Sequence, residues 1–358
     1  MTAHKEVTIY GGGMSGLVAA INLAREGHQV VVHDREPDFG GDSLYNPSTH
    51  TTPIDLKRIS DYIGIDVSSV FHSLIDCPIY IHDTKVQMPT YGWYSVERGK
   101  RPTSLDSLLY REALDVGVRF RFNSALKKED VKCLQPDTII ACGLTPGAFE
   151  MLSIPYLRWY GWISRGEIGF SNRSWVWVDE SVTEYGYLSS ANNYYFDLLF
   201  SIRPVGKETL EKYKAFMKRV RGIEHEEWRY ASGAVPIATP KNPRLTQNGL
   251  ILCGTLAGYM DPMFWFGIVG ALVSGKVSAL AVTDRQKAEQ ELMRFNRLFS
   301  RAYFIKNKIW YRFLRPHVRF LEDGVKLIGV QNTEKILGRL MNKNRAYCIP
   351  GYAHLGCN

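Results

Sequence analysis

The sequence predicts an α/β chain in three parts: a three-layer unit on a parallel sheet, a domain on an antiparallel sheet, and a helical C-terminal segment. Three observations predict it. An apolar run at 7–10 leads into Gly11-Gly12-Gly13-Met14-Ser15-Gly16, then a helical stretch at 17–26 and a second apolar run, Val30-Val31-Val32. Aromatic residues crowd into 151–202, where Trp175-Val176-Trp177-Val178 alternates as a strand does. From Glu289 onward, apolar residues recur three and four apart among basic ones.

The first unit reads strand, glycine turn, helix, strand, acid, the order of a dinucleotide-binding βαβ unit of the Rossmann kind. Gly11 permits the tight turn, Gly13 lets a diphosphate approach the backbone, and Gly16 lets the helix pack on the strand. Met14 and Ser15 open the helix, whose free N–H groups and positive dipole end suit phosphates. Gly27 ends that helix. Asp34 lies 18 residues beyond Gly16, where a carboxylate accepts from ribose hydroxyls, and Arg35 follows it.

The 358 residues carry a net charge of +8, and it is unevenly placed. Between Arg285 and Arg345 there are fifteen Lys/Arg and five Asp/Glu, a local excess of +10, so the remainder is nearly neutral. Such a segment suits nucleic acid, anionic lipid or an acidic substrate. The six cysteines form no CxxC pair and no His/Cys cluster of zinc spacing, so no metal site is expected. Lys5 and Glu6 stand where a signal peptide would need apolar residues, and a reducing cytoplasm is the expected location. Two uncharged stretches, 245–260 and 262–275, are split by Asp261. Each falls short of the roughly 18–20 residues that span a bilayer.

In chain order, 38–53 reads as a loop dense in hydroxyls around His50, and 54–63 as a helix. His50 either faces a ring system or substrate, or bonds locally as a polar loop residue. Strands follow at 78–88. Thr103 or Ser104 caps a helix over 105–115, with Leu105, Leu108, Leu109, Ala113 and Leu114 at core spacing. Strands at 118–122 and 138–141 come next, the second closed by Cys142-Gly143, the place for a nucleotide in such a sheet. Cys142 is a redox thiol or a small buried residue; the lack of charged neighbours favours the latter. The aromatic stretch 151–202 is either a sheet core or the wall of an apolar cavity. A charged helix at 208–220 leads to a strand at 250–253. The helix over 269–281 is built of small residues, which allow close packing on a sheet. Its N-terminus, at Gly267-Ile268, can stabilise negative charge on a reduced cofactor. Phe295, Leu298, Phe299, Ala302, Ile305, Ile309 and Phe313 then share one helix face, and Pro316 stops the helix. That face docks on the body of the protein or, together with Arg294, Arg297, Arg301, Lys308, Arg312 and Arg315, meets an anionic membrane. Nucleic acid is disfavoured because the aromatics do not alternate with the basic residues. The tail after Tyr347 carries no assignment.

These residues together resemble the FAD-dependent oxidoreductases of the glutathione-reductase-type fold, in the branch of geranylgeranyl reductases and aromatic-ring flavin monooxygenases. Gly11, Gly13, Gly16 and Asp34 match the adenosine-diphosphate motif. Arg98 with Ser104-Leu105, Leu109, Ala113 and Gly117-Val118 is similar to the family's arginine and following helix. Pro236 and residues 248–262 are similar to its flavin-contacting segment. The run Gly258-Tyr259-Met260-Asp261-Pro262 and the aromatic strand Glu184-Tyr185-Gly186-Tyr187-Leu188 resemble the geranylgeranyl reductase side. Two residues depart from the family: Thr255 stands where it usually has aspartate, and Trp265 where glycine is common.

The resemblance implies a discontinuous FAD-binding domain (1–50, 98–150, 232–285), a substrate domain (51–97, 151–231) and a C-terminal segment (286–358). It implies FAD contacts from Met14, Ser15, Arg35, Arg98, Cys142, Gly143, Gly254, Thr255, Asp261, Pro262, Gly267 and Ile268 besides the glycine motif. Tyr160, Trp162, Tyr185, Tyr187, Phe264 and Trp265 would line the substrate pocket; His50 and Trp265 are the catalytic candidates. The expected activity is reduction of a carbon–carbon double bond in an apolar, isoprenoid-like substrate. The alternatives are a monooxygenase acting on an apolar aromatic, in which Thr49 and His50 sit near the flavin, and a non-catalytic homologue without cofactor. Electrons would come from NAD(P)H or a separate protein, since only one GxGxxG is present.

Overall fold

The first sheet forms where short β-branched runs alternate with glycine-ended helices. The structure, a computed structural model, describes residues 5–343. Strand β1 (Glu6–Tyr10) passes through the glycine turn into α1 (Met14–Arg25) and returns as β2 (Gln29–His33), in parallel register with Ile9 beside Val32. The segment expected as a hydroxyl-rich loop is in part a strand, β3 (Ser48–Pro53). Its β-branched threonines suit a pleated surface, and two of their hydroxyls pair with Ser189: Thr49 Oγ1 donates to its carbonyl, and Thr51 Oγ1 lies 3.0 Å from its Oγ.

Helix α2 (Leu56–Ile63) follows, then β4 (Phe71–Ser73), β5 (Pro78–Ile81), β6 (Thr84–Gln87) and β7 (Trp93–Arg98). Ser104 caps α3 (Leu105–Asp115), accepting from the Ser107 amide at 3.1 Å. Next come β8 (Arg119–Arg121), β9 (Ile139–Ile140), α4 (Pro146–Met151), β10 (Tyr156–Glu167), β11 (Ser174–Val178), β12 (Tyr185–Ala191) and β13 (Tyr194–Ser201). Helix α5 (Lys207–Arg221) and the strands β14 (Arg229–Pro236), β15 (Thr246–Gln247) and β16 (Leu250–Leu252) precede α6 (Ile268–Thr283).

Three sheets result. One runs β15-β16-β9-β1-β2-β8 and is parallel except at β15. A second runs β14-β10-β13-β12-β11-β5-β6 and is mainly antiparallel. The third joins β3, β7 and β4. Helix α1 packs on α3 and α6. The small residues of α6 serve this helix contact as much as the sheet: a Cβ on Gly275 would lie 2.6 Å from Ser15 O.

The C-terminal segment continues as α7 (Arg285–Leu298), α8 (Ser300–Phe304), a π-helical stretch over Ile305–Leu314, α9 (Val318–Ile328) and α10 (Val330–Lys343). The expected single apolar face does not hold. Phe295, Phe299 and Ala302 are buried, but Ile309 and Phe313 are exposed, because i→i+5 winding over Ile305–Leu314 progressively turns the later positions out of the 3.6-residue stripe. The side chains of Arg297, Leu298 and Arg301, and the tail with Cys348 and Cys357, lie outside the described residues. Helix α9 is tied to the second sheet by His82, whose Nδ1 lies 2.9 Å from Glu322 and whose Nε2 meets Glu180. Among the described residues, no helix is long and apolar enough to cross a membrane.

Candidate active site

The glycine turn is closed by contact rather than by choice of conformation alone. Gly11 has φ +110°, and a Cβ there would sit 2.3 Å from Ala141 O. A Cβ on Gly16 would sit 1.9 Å from Gly11 O, whereas one on Gly13 would meet nothing within 4 Å. Gly13 therefore faces open space, and it caps α1 without a side chain. The first-turn amides are left for a ligand, at the positive end of the helix. Asp34 borders the same space and accepts from Gly12 N at 2.6 Å and Glu36 N at 2.8 Å. Burial pushes its carboxyl up, against the pull of those two amides.

From this turn a continuous cavity of about 840 Å³ extends along the protein, near the upper end of the roughly 300–1,000 Å³ usual for ligand sites. Arg35 and Arg98 border it. Arg98 is held by Asp106, with Nε 2.6 Å from one oxygen and Nη2 3.0 Å from the other. Cys142 and Gly143 border it at the end of β9. Burial pushes the Cys142 thiol up to about 12, and Sγ donates to Tyr10 O, so Cys142 is a small wall residue rather than a thiolate. Gly254 and Thr255 follow β16, and Gly267 and Ile268 begin α6; all four line the cavity. An uncapped helix at one end, two arginines, an acid, and a second helix N-terminus further along fit FAD as the sequence implies it.

Asp261 and Pro262 do not border the cavity. The Asp261 carboxylate turns back to accept the amides of Met263 and Phe264, each at 3.0 Å, and so shapes the loop that presents Trp265. Burial pushes it up to about 6. Tyr160 and Trp162 also face away, because period two along β10 gives the cavity Trp159 and Ile163 instead. Trp162 packs in a separate cluster, its Nε1 donating to Val205 O at 3.1 Å. Tyr185, Tyr187, Phe264 and Trp265 do line the cavity, and Tyr185 OH donates to Phe264 O at 2.7 Å.

Trp265 keeps the backbone a glycine would have, with φ +61°. Such a conformation costs a bulky residue roughly 1–3 kcal/mol. Its Nε1 donates to Glu184 Oε2 at 3.0 Å, a buried bond that helps to offset the strain. The same carboxylate receives Lys306 Nζ at 2.6 Å and the Tyr311 hydroxyl. Lys306 is 1% exposed and borders the cavity with Glu184. Burial pushes its ammonium down, against the pull of Glu184. Sequence reading passed over this cluster. One signal was available: position 306 continues the stripe 295, 299, 302, and a lysine on an apolar stripe asks for a buried partner.

His50 borders the cavity beside Phe196, its Nε2 2.9 Å from Ser48 Oγ. Burial first, and Arg98 second, push its pKa down to about 3. The imidazole is thus neutral through the physiological range.

Residues 9–56 match the family model of the NAD(P)-binding Rossmann-like domain. The chain is similar to the flavin-containing monooxygenase FMO GS-OX2 of Arabidopsis thaliana, 41% identical over 72 residues, which are 20% of this chain and only 15% of that relative's length. Two solved structures share the fold over nearly the whole chain. One is a geranylgeranyl bacteriochlorophyll reductase-like protein from Thermoplasma acidophilum, with TM-score 0.63 and 14% identity, covering 98% of this chain and 99% of that one. The other is p-nitrophenol 4-monooxygenase PnpA from Pseudomonas putida DLL-E4, with TM-score 0.59 and 14% identity, covering 94% and 98%.

The depressed His50 value sets a pH dependence. The folded state binds this proton less readily than the unfolded chain, whose histidine titrates near 6.5. The contribution of neutral His50 is present above 6.5 and is lost as pH falls toward 3. Thermal melts of His50→Gln should therefore gain on the wild type at pH 4.5 relative to pH 8. An identical difference at both pH values would contradict this.

Proposed function

Since the chain has the fold of the FAD-dependent oxidoreductases and FAD as its cofactor, we propose that it reduces a carbon–carbon double bond of an apolar, isoprenoid-like substrate. The observation that carries this reading is one apolar group of wall residues. It clusters Ile81, Val86 and Val178 of the second sheet with Leu321, Val325 and Leu337 of α9 and α10. An extended hydrocarbon gains roughly 25 cal/mol per Å² on entering such a space. Bound FAD supplies the hydride chemistry. The chain's own part is to bind the diphosphate on the α1 amides, to hold a ribose at Asp34, and to place the N-terminus of α6 near the ring. Tyr185 and Tyr187 orient the substrate, and the C-terminal helices keep water from its apolar end. Electrons come from NAD(P)H or a separate donor protein.

A second reading, oxygen insertion into an apolar aromatic substrate, is favoured by the N-terminal similarity to flavin-containing monooxygenases. Anaerobic reduction followed by addition of prenyl lipids separates the two. Reduction of the alkene predicts return of the oxidised flavin absorbance and a product gaining two hydrogens. Flavin that stays reduced with every alkene, together with oxygen uptake coupled to an aromatic substrate, would replace the first reading by the second.

The C-terminal helices also support contact with an anionic membrane, from which such a substrate is supplied. Phe304, Phe313, Phe320 and Leu327 are 59–89% exposed, among the exposed Lys308, Arg312, Arg319 and Lys326. Flotation should carry the protein with phosphatidylglycerol vesicles, less so at high salt, and not with phosphatidylcholine vesicles. Recovery with neither vesicle, or equal recovery with both, would remove this contact.

A further inference from the structure

A buried ammonium in an apolar cavity calls for a reason. Lys306 Nζ has three N–H groups. One goes to Glu184 Oε2 at 2.6 Å and one to Met263 O at 2.8 Å; among the described residues the third has no acceptor. The rings of Trp265 and Tyr311 lie 5.3 Å and 4.9 Å from Nζ and favour the charge. Glu184 is fully engaged, by Lys306 and Trp265 on one oxygen and by Tyr311 on the other. Its three donors come from the loop before α6 and from the π-helical stretch, so the ammonium is held in one place. Burying such a pair gains little over apolar packing of the same volume, so stability alone does not account for it.

We propose that Lys306 Nζ is the polar anchor of this cavity, donating its remaining N–H to an oxygen acceptor, a carbonyl or a phenolate, on an otherwise apolar ligand. Glu184 and Tyr311 act as positioning residues for it. The proposal rests on reading the cavity as the substrate pocket and adds the polar group that the substrate carries. A carbonyl held there is polarised, which draws charge from a conjugated double bond. A phenol held there ionises more readily. The Glu184–Lys306 pair is neutral as a unit, so a single oxygen suits the site better than a dianion such as a phosphate.

The test is equilibrium binding to the FAD-loaded protein of three probes: farnesal, a conjugated aldehyde; 4-nitrophenol; and farnesene, which has no oxygen. Two variants are compared with the wild type. Lys306→Met removes the donor; Lys306→Met with Glu184→Gln removes both charges and leaves no unpaired buried ion. Both should weaken an oxygenated probe about tenfold or more while leaving farnesene unchanged. Loss confined to farnesal identifies a carbonyl ligand, and loss confined to 4-nitrophenol a phenolate. In the second case the visible phenolate band of bound 4-nitrophenol should also appear at lower pH in the wild type than in either variant. Equal shifts for all three probes, no shift, or no wild-type binding of either oxygenated probe would overturn the anchor. Binding requires no turnover, so a failure to reduce alkenes would leave this result intact, and alkene reduction with unchanged probe selectivity would sink the anchor alone.

Discussion

The close approach of α1 to the strands beneath it is the constraint on which the remainder of the molecule is built. Gly11 and Gly16 meet backbone to backbone, and Gly11 also presses on Ala141 at the end of β9. No side chain larger than hydrogen fits at either position. With α1 seated that low, Ser15 becomes the surface against which Gly254 and Gly275 close. The turn after β16 and the helix α6 are thereby brought to the same cavity as the first glycine turn. One set of contacts thus brings the two helix N-termini to the same cavity.

A second interaction organises the other end. Glu184, at the start of β12, gathers donors from the loop before α6 and from the π-helical stretch. An unpaired carboxylate there would cost several kcal/mol. The satisfied one joins the sheet, the loop before α6 and the C-terminal segment, and leaves an ammonium on the cavity wall. The C-terminal segment is therefore part of the pocket as well as a cover over it: Lys306, Leu321 and Val325 all line it.

The dinucleotide unit was legible in the sequence because its requirements are local. Turn, helix start and acid sit within thirty residues, and each glycine has a steric reason of its own. Gly254, Thr255, Gly267 and Ile268, singled out through resemblance, line the same cavity. Period-two alternation revealed the aromatic sheet but not which face was inward, so Tyr160 and Trp162 were assigned to the pocket when Trp159 and Ile163 occupy it. Asp261 read as a cofactor contact because it lies in the run that resembles the family's flavin-contacting segment; its carboxylate is consumed by its own loop. The Glu184–Lys306 pair was not legible. It joins residues 122 positions apart, so although Lys306 stands on the apolar stripe of 295, 299 and 302, no local pattern names its partner.

FAD in the long cavity underlies the activity proposed for this chain. Titration of the purified protein with FAD, followed by flavin fluorescence and visible absorbance, measures it most directly. The account predicts saturable binding of one FAD per chain, abolished by Gly13→Val, whose side chain would enter the space left open above the α1 amides. A chain that stays colourless and leaves flavin fluorescence unchanged at every concentration would contradict it.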